Sequence, residues 1–158
     1  MDRSLSIILG DANGVDKAVQ RILADENYRN VRIYHSGSVC RNNLGNWCTR
    51  QIETDCATGN FWFYAAKDIA MSDDADYGLM VWDGESAGTV HNILNLVDKG
   101  KPVVVYFAPE SRFANLRNPA DLESLLERCP GDALRDFDRK LDLAARLHAR
   151  RGKIGLAQ

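Results

Sequence analysis

The strongest constraint on this chain is a pattern that occurs twice: an apolar run, a glycine-bearing loop, then a segment with helical spacing. In the first occurrence Leu5-Ser6-Ile7-Ile8-Leu9 ends at Gly10, and Asp11-Ala12-Asn13-Gly14-Val15-Asp16 forms the loop. Val15, Ala18, Val19, Ile22 and Leu23 then fall on one face of a helix over 16–25. In the second, Tyr77-Gly78-Leu79-Met80-Val81-Trp82 leads into Asp83-Gly84-Glu85-Ser86-Ala87-Gly88. The helix after it carries Val90, Ile93, Leu94 and Val97 and is closed by Gly100. Each helix is followed by another strand-like run, Val31–Tyr34 and Pro102–Phe107. Short, continuously apolar strands suit a parallel sheet covered on both sides, with right-handed crossovers.

The expected fold class is therefore α/β: a Rossmann-like three-layer sandwich with a mostly parallel sheet and helices on both faces. The 158 residues, 45% hydrophobic and 27% charged, fit one globular domain, with 1–108 as the core and 109–158 as a helical extension. Residues 36–60 lack periodicity, and a short helix near 45–53 is expected there. Phe61 to Ser72 reads as a helix, 121–128 as another, and 132–150 as a final one with Leu134, Phe137, Leu141, Ala144 and Ala145 on one side. Phe61, Trp62, Phe63 and Tyr64 are too many adjacent aromatics for one buried face, which suggests a subunit interface, a lid, or tight core packing.

No signal peptide and no bilayer-spanning run is read, so the expected location is cytoplasmic. Cys40, Cys48, Cys56 and Cys129 have no close-paired metal spacing; reduced, mostly packing thiols are expected, and no metal or cofactor. A net charge of -2 argues against a nucleic-acid partner. The basic residues Arg139, Lys140, Arg146, Arg150, Arg151 and Lys153 read as a solvated helix face or tail.

In an open parallel sheet, ligands bind outside the carboxyl ends of the strands. A helix N-terminus there offers N–H groups, and glycine lets the backbone approach a phosphate. Gly10, Asp11, Ala12, Asn13 and Gly14 are thus ligand candidates, as are Asp83, Gly84, Ser86, Ala87, Gly88 and Thr89. Singly, Asn13-Gly14 and Asp83-Gly84 are ordinary turn pairs; together, both after a strand and before a helix, they point to one crevice. Asp11 and Asp83 would repel phosphate and suit ribose hydroxyls. Asp16 reads as a helix-capping residue, or as a ribose ligand or base. His35 ends the second strand, a ligand-side position, and reads as a contact for a base or phosphate or as a plain strand-end residue. Arg41, Asn42, Asn43 and Trp47 follow it, so they should overhang the same edge, with the arginine for phosphate and the indole for stacking. His91 reads as a surface residue.

These residues also resemble a family. Gly10-Asp11-Ala12-Asn13-Gly14-Val15-Asp16 looks like the first signature of the SLOG superfamily, which includes the LOG phosphoribohydrolases (lysine decarboxylase-like), molybdenum-cofactor carrier-like proteins and DprA. Ala75-Asp76, the following strand and Trp82 to Thr89 are similar to its second signature, and Lys99 to Val105 resembles the next strand. The likeness covers roughly residues 5–108. It implies a nucleotide-derived ligand and favours a homodimer. In the hydrolase branch a glutamate follows the Gly-Thr pair; here Asn92 stands in its place, and Asn neither titrates nor attacks usefully. Lys67 stands where the hydrolase arginine is expected.

Three functions follow as expectations. One is a sensor or carrier that binds a nucleotide or nucleotide-derived molecule. The second is a hydrolase or transferase acting on an N-glycosidic bond, with Asp16, Asp83 or Glu85 replacing the missing acid. The third, a DprA-like nucleic-acid binder, conflicts with the charge balance.

Overall fold

Both strand–loop–helix units form where the apolar runs place them. A computed structural model describes residues 5–154, with side chains through His148. Arg150, Arg151 and Lys153 of the expected basic tail therefore have side chains outside the described residues. The chain divides after Ala75 into two compact units. The architecture is mixed α/β, with two small sheets, mostly parallel strands and, among the described residues, six α-helices.

The first unit contains β1 (Ile7–Gly10), α1 (Val15–Asp25), β2 (Val31–His35), β3 (Cys48–Gln51) and α2 (Phe61–Asp74). Its sheet has the order β1-β2-β3, all parallel, with Ile7 opposite Val31 and Arg32 opposite Cys48. β3 replaces the helix expected over 45–53. Its four side chains are all exposed, so the strand exists through backbone pairing with β2 and leaves no apolar signature. The loop 36–47 must return from the end of β2 to the start of β3.

α1 also differs from expectation. Val15, Ala18 and Ile22 are exposed, and the fully buried residue is Gln20. Its amide donates to Gly10 O (2.9 Å) and Asn42 O (3.2 Å), and its Oε1 accepts from Leu44 N (3.1 Å). Those bonds make burial of a polar side chain tolerable. The inward stripe is Asp16, Gln20 and Leu23 at helical spacing. Along α2 the aromatics part company: Phe63 is buried, Phe61 and Tyr64 are half-buried, and Trp62 is 44% exposed.

The second unit contains β4 (Gly78–Trp82), α3 (Ala87–Asp98), β5 (Val103–Phe107), β6 (Arg112–Leu116), α4 (Pro119–Leu126), α5 (Gly131–Leu141) and α6 (Leu143–Ile154). β4 and β5 are parallel, and β6 is antiparallel to β5. β6 was not expected. A 3₁₀ turn at Ala108–Glu110 and Ser111 at φ 48° reverse the chain, so β6 returns along β5. α3 ends in a Schellman motif, with Gly100 N–H on Val97 O and Lys101 N–H on Leu96 O. The single helix expected over 132–150 is two helices, broken at Asp142, which takes the left-handed conformation (φ 52°).

This unit's core is apolar: Trp82, Ile93, Leu94, Val105, Phe107, Leu122 and Phe137 are almost fully enclosed. His91, expected at the surface, is buried, because its position on α3 faces the helices that pack there. Of the cysteines, all free, Cys129 is a packing residue and Cys40 is half-buried, whereas Cys48 and Cys56 are exposed. Among the described residues no helix is long and apolar enough to cross a membrane.

Candidate functional site

The end of β1 gathers charge. Gly10 closes the strand, and Gly14 at φ 86° turns the chain into α1. Asp11, 2% exposed, receives a two-pronged ion pair from Arg41: Nη2 to Oδ1 at 2.6 Å and Nε to Oδ2 at 2.9 Å. The Arg41 backbone N–H adds a third bond at 3.1 Å. The guanidinium lies 4.7 Å from the centre of the Tyr64 ring, so the arginine is held by a carboxylate and an aromatic face together.

On the other side of Gly10 stand Asp16 and Lys67. A Cβ added to Gly10 would lie 2.3 Å from Asp16 Oδ2 and 2.9 Å from Lys67 Nζ. A side chain at this position would have to displace the Asp16 carboxyl and the Lys67 ammonium, which come together over Gly10. Asp16 accepts a bond from Ala12 N–H (3.2 Å) and does not cap α1; Gly14 is the cap residue. Lys67, 5% exposed, reaches Asp68 at 2.5 Å, and its backbone N–H donates to Ser36 Oγ.

The two carboxyls are driven in opposite directions. Burial pushes Asp11 up, but hydrogen bonds and charge from Arg41, with Lys67 behind, outweigh it and leave its pKa below the usual value. Burial lifts Asp16 above the usual value, against the pull of Lys67 and Ala12 N–H. The cluster therefore holds one carboxylate firmly ionised and one whose charge is resisted, a pairing common where acid–base or ligand chemistry occurs.

The remaining first-loop candidates are distributed as follows. Asn42 is buried and donates to Asp11 O (2.7 Å) and Asn13 Oδ1 (3.2 Å), so it braces the loop. Asn43 bonds Trp47 at both N–H and C=O, closing its own turn. Trp47 does not overhang the carboxyl edge. It precedes β3, and its indole donates to Tyr28 O just before β2, at the opposite end of these strands. His35 is buried with Nδ1 against Gly37 O (2.9 Å). Gln20, Tyr64, Asp68 and Ser36 belong to the cluster's surroundings and were not anticipated. Gln20 was detectable as the polar residue one turn after Asp16 on the same face, and Asp68 as the neighbour of Lys67.

The second loop is organised differently. Asp83 Oδ1 accepts the N–H groups of Glu85 and Ser86, both at 2.9 Å, and Ser86 Oγ caps α3 by accepting from Thr89 N–H. Trp82 Nε1 donates to Ser86 O. Gly84, at φ 82°, lies against the Phe107 ring. Asp83 and Glu85 are exposed; Gly88, Thr89 and Asn92 are half-buried, and Ala87 is buried. Asp83 and Ser86 thus serve the loop's own backbone and the start of α3.

Among the described residues no group of three His, Cys, Asp or Glu side chains stands where it could hold a metal. A cleft of about 460 Å³ in the second unit lies among α4, α5 and α6 and contains none of the candidates. No family model, curated protein or solved structure matches the chain.

Proposed function

We propose that the chain binds a nucleotide or nucleotide-derived small molecule at the carboxyl ends of its parallel strands, as a cytoplasmic sensor or carrier on a Rossmann-like three-layer, SLOG-type framework. The observation that carries this reading is the burial of Asp11 and Lys67, with Asp16 half-buried, around Gly10. Burying charge costs free energy that a fold has no need to spend, and strand ends of this kind are where parallel sheets hold ligands. Acid exceeds base here, with Asp11, Asp16 and Asp68 against Arg41 and Lys67. Such a cluster suits ribose hydroxyls, which donate to carboxylates.

Asp16 supports a second reading. A carboxyl whose ionisation is resisted beside an ammonium is fitted to act as a general acid, as an N-glycosidic hydrolase or transferase requires at the departing base. Incubation with a panel of nucleoside monophosphates separates the two. A thermal shift without turnover marks the binder, and released base marks the enzyme. A ligand at a hundredfold excess over its Kd stabilises by about 2.7 kcal/mol. Lys67→Met is expected to abolish that shift. A folded parent protein that responds to no member of the panel would falsify nucleotide binding.

A further inference from the structure

Asp11 and Arg41 meet edge to edge, and which edge they use has chemical consequences. A guanidinium carries five N–H donors in a rigid planar fork. Asp11 takes two of them from one side, Nε to Oδ2 at 2.9 Å and Nη2 to Oδ1 at 2.6 Å. Oδ2 also accepts the Arg41 backbone N–H at 3.1 Å, so Arg41 engages both carboxylate oxygens. Asp11 thus serves the arginine and not a sugar, and ribose hydroxyls fall to the Asp16 side of Gly10. The Tyr64 ring covers the guanidinium at 4.7 Å. The other edge of the fork, Nη1 and the second Nη2 hydrogen, donates to nothing among the described residues. The backbone beneath it is fixed too. Asn42 Nδ2 donates to Asp11 O at 2.7 Å, and Gln20 Nε2 donates to Asn42 O at 3.2 Å.

Resting on the nucleotide reading of this same site, we propose that Arg41 receives the ligand's phosphate on that unpaired edge and that Asp11 is the positioning residue that aims it. An Nη1–Nη2 edge matches two phosphate oxygens at once. Held on one edge by a carboxylate and on one face by a ring, the side chain loses little freedom on binding. The local charge admits an anion. Arg41 answers Asp11, Lys67 adds a second cation, and burial resists the ionisation of Asp16. The site therefore selects phosphorylated nucleosides over unphosphorylated ones.

Calorimetric titration of the full chain with each common nucleoside, and with its monophosphate, tests this. The parent should bind the phosphorylated member about tenfold or more tightly. Arg41→Lys keeps the charge and loses the fork, and should erase most of that preference. Asp11→Asn keeps the shape and releases the aim, and should reduce it several-fold; both variants are read only where they keep the parent's circular dichroism. Ile22→Lys, on the exposed side of α1, should retain the full preference. A parent that binds nucleosides and monophosphates alike overturns the proposal and leaves ligand binding at the site standing. Either folded variant with the parent's preference also overturns it. A parent that binds neither overturns the nucleotide reading, and this proposal with it.

Discussion

The two glycine loops begin from the same local plan and end with opposite interiors. After β1, the loop is tied into charge: Asp11 to Arg41, with Asp16 and Lys67 filling the space over Gly10. After β4, Asp83 and Ser86 satisfy backbone N–H groups and stay near water. The surrounding units follow suit. Asp11, Gln20, His35, Ser36, Asn42, Lys67 and Ser72 are buried in the first, against His91 and Asn95 in the second. The same strand–loop–helix pattern thus supports either a buried charge cluster or a loop that satisfies only its own backbone. What separates them is whether distant residues bring charge to the strand end.

That contrast can be broken most severely at Arg41. Arg41→Met leaves Asp11 buried without its counter-charge. Because the arginine side chain is itself 39% exposed, a loss of about 3 kcal/mol in urea unfolding is expected, below the full penalty for a wholly buried pair. The second unit's weak point is acid. Burial, with Arg146 nearby, lowers the His91 pKa from 6.5 to about 4. The unfolded chain therefore takes up a proton before the folded one. Stability should be unaffected above pH 6.5 and fall as pH drops toward 4, by about 2.5 kcal/mol at about pH 4.5. His91→Gln should remove that slope.

A smaller effect is expected at Asp83. Asp83→Ala strips two N–H groups of their acceptor in an exposed loop, costing about 1 kcal/mol in thermal unfolding. The smallest change should occur at Asp16, and with the opposite sign. Its raised pKa means that folding favours the protonated form, so its contribution is fully present below the usual 3.8 and is lost as pH rises through the folded value. At neutral pH Asp16→Asn should therefore stabilise, by less than about 1 kcal/mol, while abolishing ligand-induced shifts. Asp11, with its lowered pKa, behaves the other way: its contribution is present above 3.8 and is lost as pH falls through the folded value. Should Asp16→Asn destabilise at neutral pH, Asp16 is a structural residue and the contrast between the loops weakens.

Apolar runs made β1, β2, β4 and β5 legible, and helical spacing gave α1, α2 and α3. What the sequence concealed has physical reasons. β3 buries no side chain, so no alternation marks it. β6 depends on a chain reversal at Ser111, a non-glycine residue with positive φ. The break at Asp142 is of the same kind. In the candidate site, Asp11, Asp16 and Arg41 were named from local pattern, and Lys67 from the family resemblance. The Arg41–Asp11 pairing was not, because it joins residues thirty positions apart. Trp47 was assigned to the wrong end of the strands because the connection to β3 was not foreseen.

The loop 36–47 has one more consequence. Arg41 and Asn42 are keyed to Asp11, Asn42 O and Leu44 N to Gln20, and Trp47 to Tyr28. Adding or deleting one residue would shift every one of these attachments at once. In any lineage descended from this chain, the length of that segment should stay constant while the exposed stretch 55–60 lengthens and shortens freely.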